Sequence, residues 1–411
     1  MDKNIKVSIV IPIYNMQLYL RNCLDSVLSQ TLQEIEVICV NDGSTDESSQ
    51  ILDTYACNKK IIIINQKNKG SGPARNRGMM MAKGKYVAFV DPDDYYAADD
   101  VLETLYLSAE KEDVMIYRGN MRDSQGNYYR GMRFLENKRM TFAEIQEYWS
   151  HCSAIYNLKF LKQNKIYYPD YRRFQDPPFI AKAMIKAKEF FAVNKDVYIY
   201  RIGYKINDIT ETVVINIVNG IRDIFEVIYD DENHFVELGT RIYQENREVI
   251  MRYSCDRMDS AALKKALDEM NVMICKVLGE NYILTEEKIA EYRCQCTSIS
   301  RAITNKEPII IYGAGIVGQR VINQVHSEGG DILGIAVSEM QDNFHSIEGI
   351  PVKAIEKYIQ YADEAYVIIA TSGKLWEEIK RRLAQYHFQK VIALTGGQWN
   401  YVSELLKRQD G

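Results

Sequence analysis

Short apolar runs alternate with segments of helical spacing over the first part of the chain. The run at 7–13, Val-Ser-Ile-Val-Ile-Pro-Ile, reads as a strand. From Gln17 onward, Leu20, Cys23, Leu24, Val27 and Leu28 recur at the spacing of one helix face. Further apolar runs at 35–40, 60–65 and 86–90 predict three more strands. Ser44-x-x-Glu47 fits a capping box opening a second helix. A third helix is predicted over 73–82, with Pro73 in its first turn and Gly84 just past its end. Strands that are apolar at nearly every position, separated by helices, belong to a parallel sheet covered on both faces. The predicted fold class is therefore α/β.

Residues 100–200 are less regular and rich in tyrosine. Proline is then absent between Pro178 and Pro308, and the spacing from about 213 to 296 is helical, as in Leu263, Leu267, Met270, Met273, Ile274 and Val277. A second alternating unit starts at Pro308, with strands predicted at 309–312, 333–337, 365–370 and 390–394. The expected organisation is an α/β domain over 1–205, a helical connecting region over 206–305 and a small Rossmann-like domain over 306–411.

Composition narrows the class. Lys+Arg total 51 against 56 Asp+Glu, a net charge of −5, which argues against a protein that coats nucleic acid. Hydrophobic residues make up 46% of the chain, enough for a core in each domain. No apolar run reaches the ~18–20 residues of a membrane span, and the run at 7–13 is too short for a signal-peptide core. The expected location is cytoplasmic. The eight cysteines show no paired zinc spacing and read as reduced structural thiols, and the five histidines show no ligand spacing.

In an open parallel sheet, ligands bind beyond the carboxyl ends of the strands. Those ends carry Tyr14-Asn15, Asn41-Asp42-Gly43-Ser44 and Asp91-Pro92-Asp93-Asp94. Carboxylates at i and i+2, as in Asp91-x-Asp93, repel each other unless a hard divalent cation joins them, and such a cation can bridge to a diphosphate. The same four residues are also good turn chemistry. Asp42 could equally serve a turn, and Arg75 a solvated helix face.

The ordered set Pro12-x-Tyr14-Asn15, Asn41-Asp42-Gly43-Ser44, Asn68-Lys69-Gly70 with Ala74-Arg75-Asn76 and Gly78, then Gly84-Lys85-Tyr86 running into Asp91-Pro92-Asp93-Asp94, resembles the inverting nucleotide-sugar glycosyltransferases of family 2. The resemblance covers about residues 5–205 and implies a GT-A fold, a mixed Rossmann-like sheet with helices. It implies that Asp42 contacts the nucleobase, that Arg75 lies near the nucleotide, and that Asp91 contacts the ribose. It also implies that Asp93 binds Mn2+ or Mg2+ through the diphosphate. Inverting transfer needs a carboxylate to take the proton of the acceptor hydroxyl. The family usually supplies it as the Asp of a Glu-Asp pair before a helix, which here is Gln175-Asp176. Gln175 departs from that pattern. Asp176 could instead be a helix cap, and Asp170 is a rival base. Tyr198-Ile-Tyr-Arg201 resembles the family's closing strand. Gly203-Tyr204-Lys205 follow it, and Arg201 or Lys205 could reach a diphosphate. Tyr14 and Tyr95 are candidates for stacking on a sugar.

In the second unit, Gly313-x-Gly315-x-x-Gly318 follows a strand and opens a helix, the context of a dinucleotide or nucleotide-phosphate loop. The acidic residue that would hold a ribose is ambiguous, since Ser338 stands near the expected place and Glu339 one later. The unit resembles small Rossmann-like domains attached to enzymes of surface-polysaccharide synthesis, and ligand binding here competes with a structural or dimerising role.

The leading expectation is a metal-dependent inverting glycosyltransferase of bacterial-type surface-polysaccharide synthesis. Its donor would be a nucleoside-diphosphate sugar, UDP-type favoured, and its acceptor a saccharide or lipid-linked saccharide, with no nucleic acid partner. Homo-oligomerisation and peripheral contact with the inner face of the membrane stay open. The alternatives are an NAD(P)-dependent sugar oxidoreductase using the second unit, and a non-catalytic nucleotide-binding scaffold.

Overall fold

A computed structural model describes residues 4–146, 150–203, 209–232, 234–338, 345–371 and 373–409. The chain divides into two compact units, residues 1–246 with 261–283 and residues 247–260 with 284–411. The helical stretch that the sequence sets apart at 206–305 is shared between them.

The first unit is built on a nine-stranded sheet. Its strands are β1 (Val7–Ile13), β2 (Ile35–Asn41), β3 (Ile61–Asn65), β4 (Tyr86–Phe89), β5 (Tyr95–Tyr96), β6 (Ile116–Asp123), β7 (Lys138–Thr141), β8 (Ala154–Asn157) and β9 (Glu189–Tyr200). Their order is β3-β2-β1-β4-β8-β6-β9-β5, with β7 also paired to β9. β1 pairs in parallel with β2 and β4, and β2 with β3. β8 runs antiparallel to both β4 and β6, so the sheet is mixed. β1 and β2 are buried at every position, and the polar residues inside their apolar runs pair with each other, Ser8 Oγ donating to Glu36 Oε1 at 2.6 Å. The chain steps outward from β1 to β3 and returns to place β4 on the other side of β1. That reversal opens a crevice at the carboxyl ends of β1 and β4.

Helices Leu20–Leu28, Ser48–Tyr55 and Ser71–Met81 connect these strands. The last lies close on β1 because Gly78 has no side chain. A Cβ there would fall 2.3 Å from Val10 Cγ1. The expected capping box does not form, and the second helix starts at Ser48 rather than Ser44. The polar residues around its start brace the loop after β1 instead. Ser44 Oγ accepts from Asn15 N at 3.2 Å, Ser48 Oγ from Met16 N at 2.8 Å, and Asp46 Oδ2 from Gln17 N at 3.0 Å. Helix Glu211–Asp230 buries Val214, Val218, Ile221, Phe225 and Ile228 along one stripe and packs on helices Asp176–Ala187 and Ala261–Leu278.

The second unit carries a six-stranded sheet of β10 (Ile309–Tyr312), β11 (Ile332–Val337), β12 (Ser346–Ile347), β13 (Ile350–Ala354), β14 (Tyr366–Ile369) and β15 (Lys390–Ala393), in the order β12-β13-β11-β10-β14-β15. All its pairs are parallel except β12 with β13. Among the described residues, no helix is long and apolar enough to cross a membrane.

Candidate active site

A cavity of about 1000 Å³ opens at the crevice predicted by the strand order. Pro12 and Tyr14 reach it from the end of β1, Asp42 from the end of β2, and Asp91 and Asp93 from the loop after β4. Arg75 and Asp176 enter from two helices. Seven of the residues singled out in the sequence are therefore brought together. Asn15, Tyr95 and Asp170 are not among the lining residues. Asn15 ties two loops, its Oδ1 accepting from Thr45 N at 2.8 Å. Tyr204, Lys205 and Glu339 lie outside the described residues.

Asp42 is 2% exposed, and its carboxylate organises the loop that follows β3. It accepts from Gln66 Nε2 at 2.7 Å, Lys69 N at 2.9 Å and Gly70 N at 2.7 Å. Gly70 has φ +98° and leads into the helix that carries Arg75. Few residues but glycine hold that conformation without strain.

The Asp-Pro-Asp-Asp loop is both a turn and a cluster of carboxylates. Asp94 N donates to Asp91 O at 3.0 Å, closing the turn. Tyr198 Oη accepts from Asp91 N at 3.0 Å and donates to Asp94 Oδ2 at 3.0 Å. Arg201 braces the loop from outside. Its backbone N donates to Asp94 Oδ1 at 2.8 Å and its Nε to Asp93 O at 2.8 Å, while the guanidinium faces the rings of Tyr19 and Tyr95. Arg201 and Tyr95 thus support the loop. One carboxylate oxygen each of Asp91, Asp93 and Asp94 lie within 4.8 Å of one another. This all-oxygen donor set fits a hard divalent cation.

Arg75 is 2% exposed and joins two carboxylates. Nη2 donates to Asp91 Oδ1 at 2.5 Å and Nη1 to Asp176 Oδ1 at 3.0 Å. Burial disfavours its charge, but Asp176 and Asp91 outweigh that and keep the guanidinium protonated. Tyr168 lies beside it, 5.1 Å from ring centroid to guanidinium carbon, and is itself stacked on Phe179 at 4.0 Å. Asp176 is the first residue of its helix and is followed by two prolines. Its carboxylate is turned to Arg75, so the alternative of a helix cap does not hold. Gln175 takes the cap position and donates from Nε2 to Ser71 Oγ at 2.7 Å.

Sequence reasoning missed His151. The ring is 3% exposed, with Nδ1 3.6 Å from Asp176 Oδ1 and Nε2 4.0 Å from Asp91 Oδ1. Burial lowers its pKa below the usual value, and the Arg75 charge adds to this against the pull of the two carboxylates, which favours a neutral ring near pH 7. No spacing rule finds such a residue, because its partners come from distant segments. The cavity wall also includes Ser71, Arg172, Arg173, Thr210 and Thr212. The last two lie beyond the expected domain end at 205.

The glycine loop lies in the second unit. Gly313 has φ +128°, and a Cβ on Gly318 would fall 2.0 Å from Gly313 O. Close packing within the loop explains Gly318, and the positive φ with Ala370 O at 2.6 Å from a Cβ explains Gly313. A Cβ on Gly315 would meet nothing within 4 Å.

The model of the family described as Glycosyl transferase family 2 matches residues 8–171. Glycosyltransferase GlyG of Streptococcus pneumoniae is 33% identical over 213 residues, 47% of this chain and 70% of that protein. EpsJ of Bacillus subtilis, an uncharacterized glycosyltransferase, is 32% identical over 209 residues, 47% of this chain and 60% of its own length. The poly(ribitol-phosphate) beta-glucosyltransferase of Bacillus spizizenii is 32% identical over 193 residues, 45% of this chain and 30% of that protein. Among solved structures, S. aureus TarS 1-349 in complex with UDP-GlcNAc superimposes with a TM-score of 0.57 at 19% identity, covering 79% of this chain and 88% of TarS 1-349, and shows the same fold. With that fold, the family match across most of the first sheet and a relative one-third identical over most of its own length, the chain belongs to glycosyl transferase family 2.

Proposed function

We propose that this protein moves a sugar from a nucleoside-diphosphate sugar to a hydroxyl group, with inversion, in the synthesis of a cell-surface polysaccharide. The observation that carries the reading is the meeting of Asp42, Asp91, Asp93 and Asp176 around one cavity, with Arg75 between the last loop and the base. Asp42 and Asp91 face the nucleoside. Asp93, with Asp91 and Asp94 beside it, would hold Mn2+ or Mg2+. When bound, the cation supplies positive charge to the leaving diphosphate. Asp176 takes the proton of the acceptor hydroxyl, and the acceptor oxygen attacks the anomeric carbon from the opposite side to the leaving diphosphate. Arg172 and Arg173 give the same cavity a basic wall that suits phosphate groups.

The donor class we favour is a UDP sugar. TarS, which shares the fold, was crystallised with UDP and with UDP-GlcNAc. The acceptor we favour is a wall or envelope polymer, as the poly(ribitol-phosphate) relative's name suggests. Calorimetric titration with UDP, GDP, CDP and NAD(H), with and without Mn2+, tests the reading. Metal-dependent binding of one diphosphate to wild type, lost in Asp93→Ala, is expected. Asp176→Asn should bind the same nucleotide and lose transfer. Binding of NAD(H) alone would move the chemistry to the second unit, and transfer by Asp176→Asn at the wild-type rate would remove Asp176 as the base.

A further inference from the structure

The transferase reading gives Asp91 to the donor and Asp176 to the acceptor. The two carboxylates are nevertheless held by one buried cation. Arg75 spans them with its two terminal nitrogens, at 2.5 Å and 3.0 Å. The His151 ring faces the same two oxygen atoms, at 4.0 Å and 3.6 Å. Arg75 Nε has no hydrogen-bond partner among the described residues. The guanidinium is therefore placed by the two carboxylates and by the Tyr168 ring behind it, with no third polar anchor on its inner edge. A planar fork can serve two carboxylates at once, and the point charge of a lysine cannot do so in the same geometry.

We propose that Arg75 is a positioning residue that couples donor binding to the base. The proposal rests on the transferase reading of this site. The guanidinium divides its hydrogen bonds between Asp91 and Asp176. A ligand group that engages Asp91 draws on the same carboxylate, weakens its hold on Arg75 and tightens Arg75 on Asp176. The base is then fixed toward the acceptor only when the donor side is filled. Water and acceptor arriving first meet a base whose cation is still shared.

Coupling between two sites is reciprocal, so a change at Asp176 must alter nucleotide affinity although Asp176 sits on the acceptor side. With Asp176 neutralised, Arg75 turns wholly to Asp91 and competes with the nucleotide for it. The test is UDP titration by calorimetry, with Mn2+ present, on wild type, Asp176→Asn, Arg75→Lys and the double variant. Asp176→Asn is expected to weaken UDP binding about five-fold in the wild-type background, a coupling of the size seen between linked sites. In the Arg75→Lys background the same change should shift affinity by less than about two-fold, because the bridge is already broken. Arg75→Gln provides a second background if Arg75→Lys fails to fold by circular dichroism. On turnover, Arg75→Lys should lower kcat more than it raises the donor KM.

Equal effects of Asp176→Asn in both backgrounds, or none in wild type, would overturn the coupling while leaving the transferase reading intact. Wild type that binds none of UDP, GDP and CDP would overturn both.

Discussion

Gly78→Ala isolates the packing on which the site depends. Alanine in the middle of a helix normally gains about 1 kcal/mol over glycine. Here the new Cβ would stand 2.3 Å from Val10 Cγ1, 3.1 Å from Cγ2 and 3.3 Å from Cβ. Turning the valine side chain does not help, since both methyls and the Cβ are close, and Val10 is fully buried on a strand paired at both edges. Helix or strand must shift, and overpacking of this kind costs about 1–3 kcal/mol. An approach as short as 2.3 Å puts the cost at the upper end of that range, so less the propensity gain the variant should lose about 2 kcal/mol of stability. Arg75 lies one turn earlier on the same helix, so UDP binding should weaken as well. Urea unfolding followed by circular dichroism measures the loss as a lower midpoint at unchanged slope. Val10→Ala removes both methyls, and in combination with Gly78→Ala it should cost less than the two changes summed. Stability equal to wild type in Gly78→Ala, or strict additivity with Val10→Ala, would refute the argument.

Thiol reactivity should divide by burial. A charged disulfide reagent at mildly alkaline pH should label the exposed Cys57 and Cys294 in the native protein. Cys39, pushed up to about 12 by burial, and Cys23 and Cys152, also raised by burial, should react only after unfolding. His151 is buried with its pKa below the ordinary 6.5, so between the two values the unfolded chain binds more protons. Stability from this residue is full above about pH 6.5 and is lost as pH falls toward its folded pKa, so the stability difference between wild type and His151→Phe should shrink on acidification in urea titrations. In the glycine loop, Gly318→Ala should destabilise the second unit by about 1–3 kcal/mol because its Cβ meets a backbone carbonyl, and Gly315→Ala, facing open space, should change stability by less than about 0.5 kcal/mol. Equal losses from the two would show that something other than packing fixes this loop.

The first four strands were legible because a strand buried on both faces is apolar at nearly every position, as 7–13, 35–40 and 86–90 are, and the half-buried edge strand at 60–65 still shows four isoleucines in a row. The residues just after them were legible as site residues for a topological reason, since a parallel sheet offers its carboxyl ends to ligands. Asp42, Asp91 and Asp93 accordingly line the cavity. The strands after residue 100 were not legible. β6 buries Arg118 and Asn120, which breaks the apolar pattern, and β8 and β9 find their partners far along the chain. The capping signal at Ser44 failed because its hydroxyl had a nearer use, the loop after β1.

Sequence alone thus determined the first four strands, the helices between them and the polar residues at the strand ends, because these follow from local periodicity and chain order. Tertiary structure decided the partners. Arg75 meets Asp91 16 residues away and Asp176 101 residues away, and buried His151 faces both carboxylates. Helix 211–230 closes one wall of a cavity that the motifs end short of. These are meetings of side chains whose separation along the chain carries no signal, and only the folded backbone brings them within a few ångströms of one another.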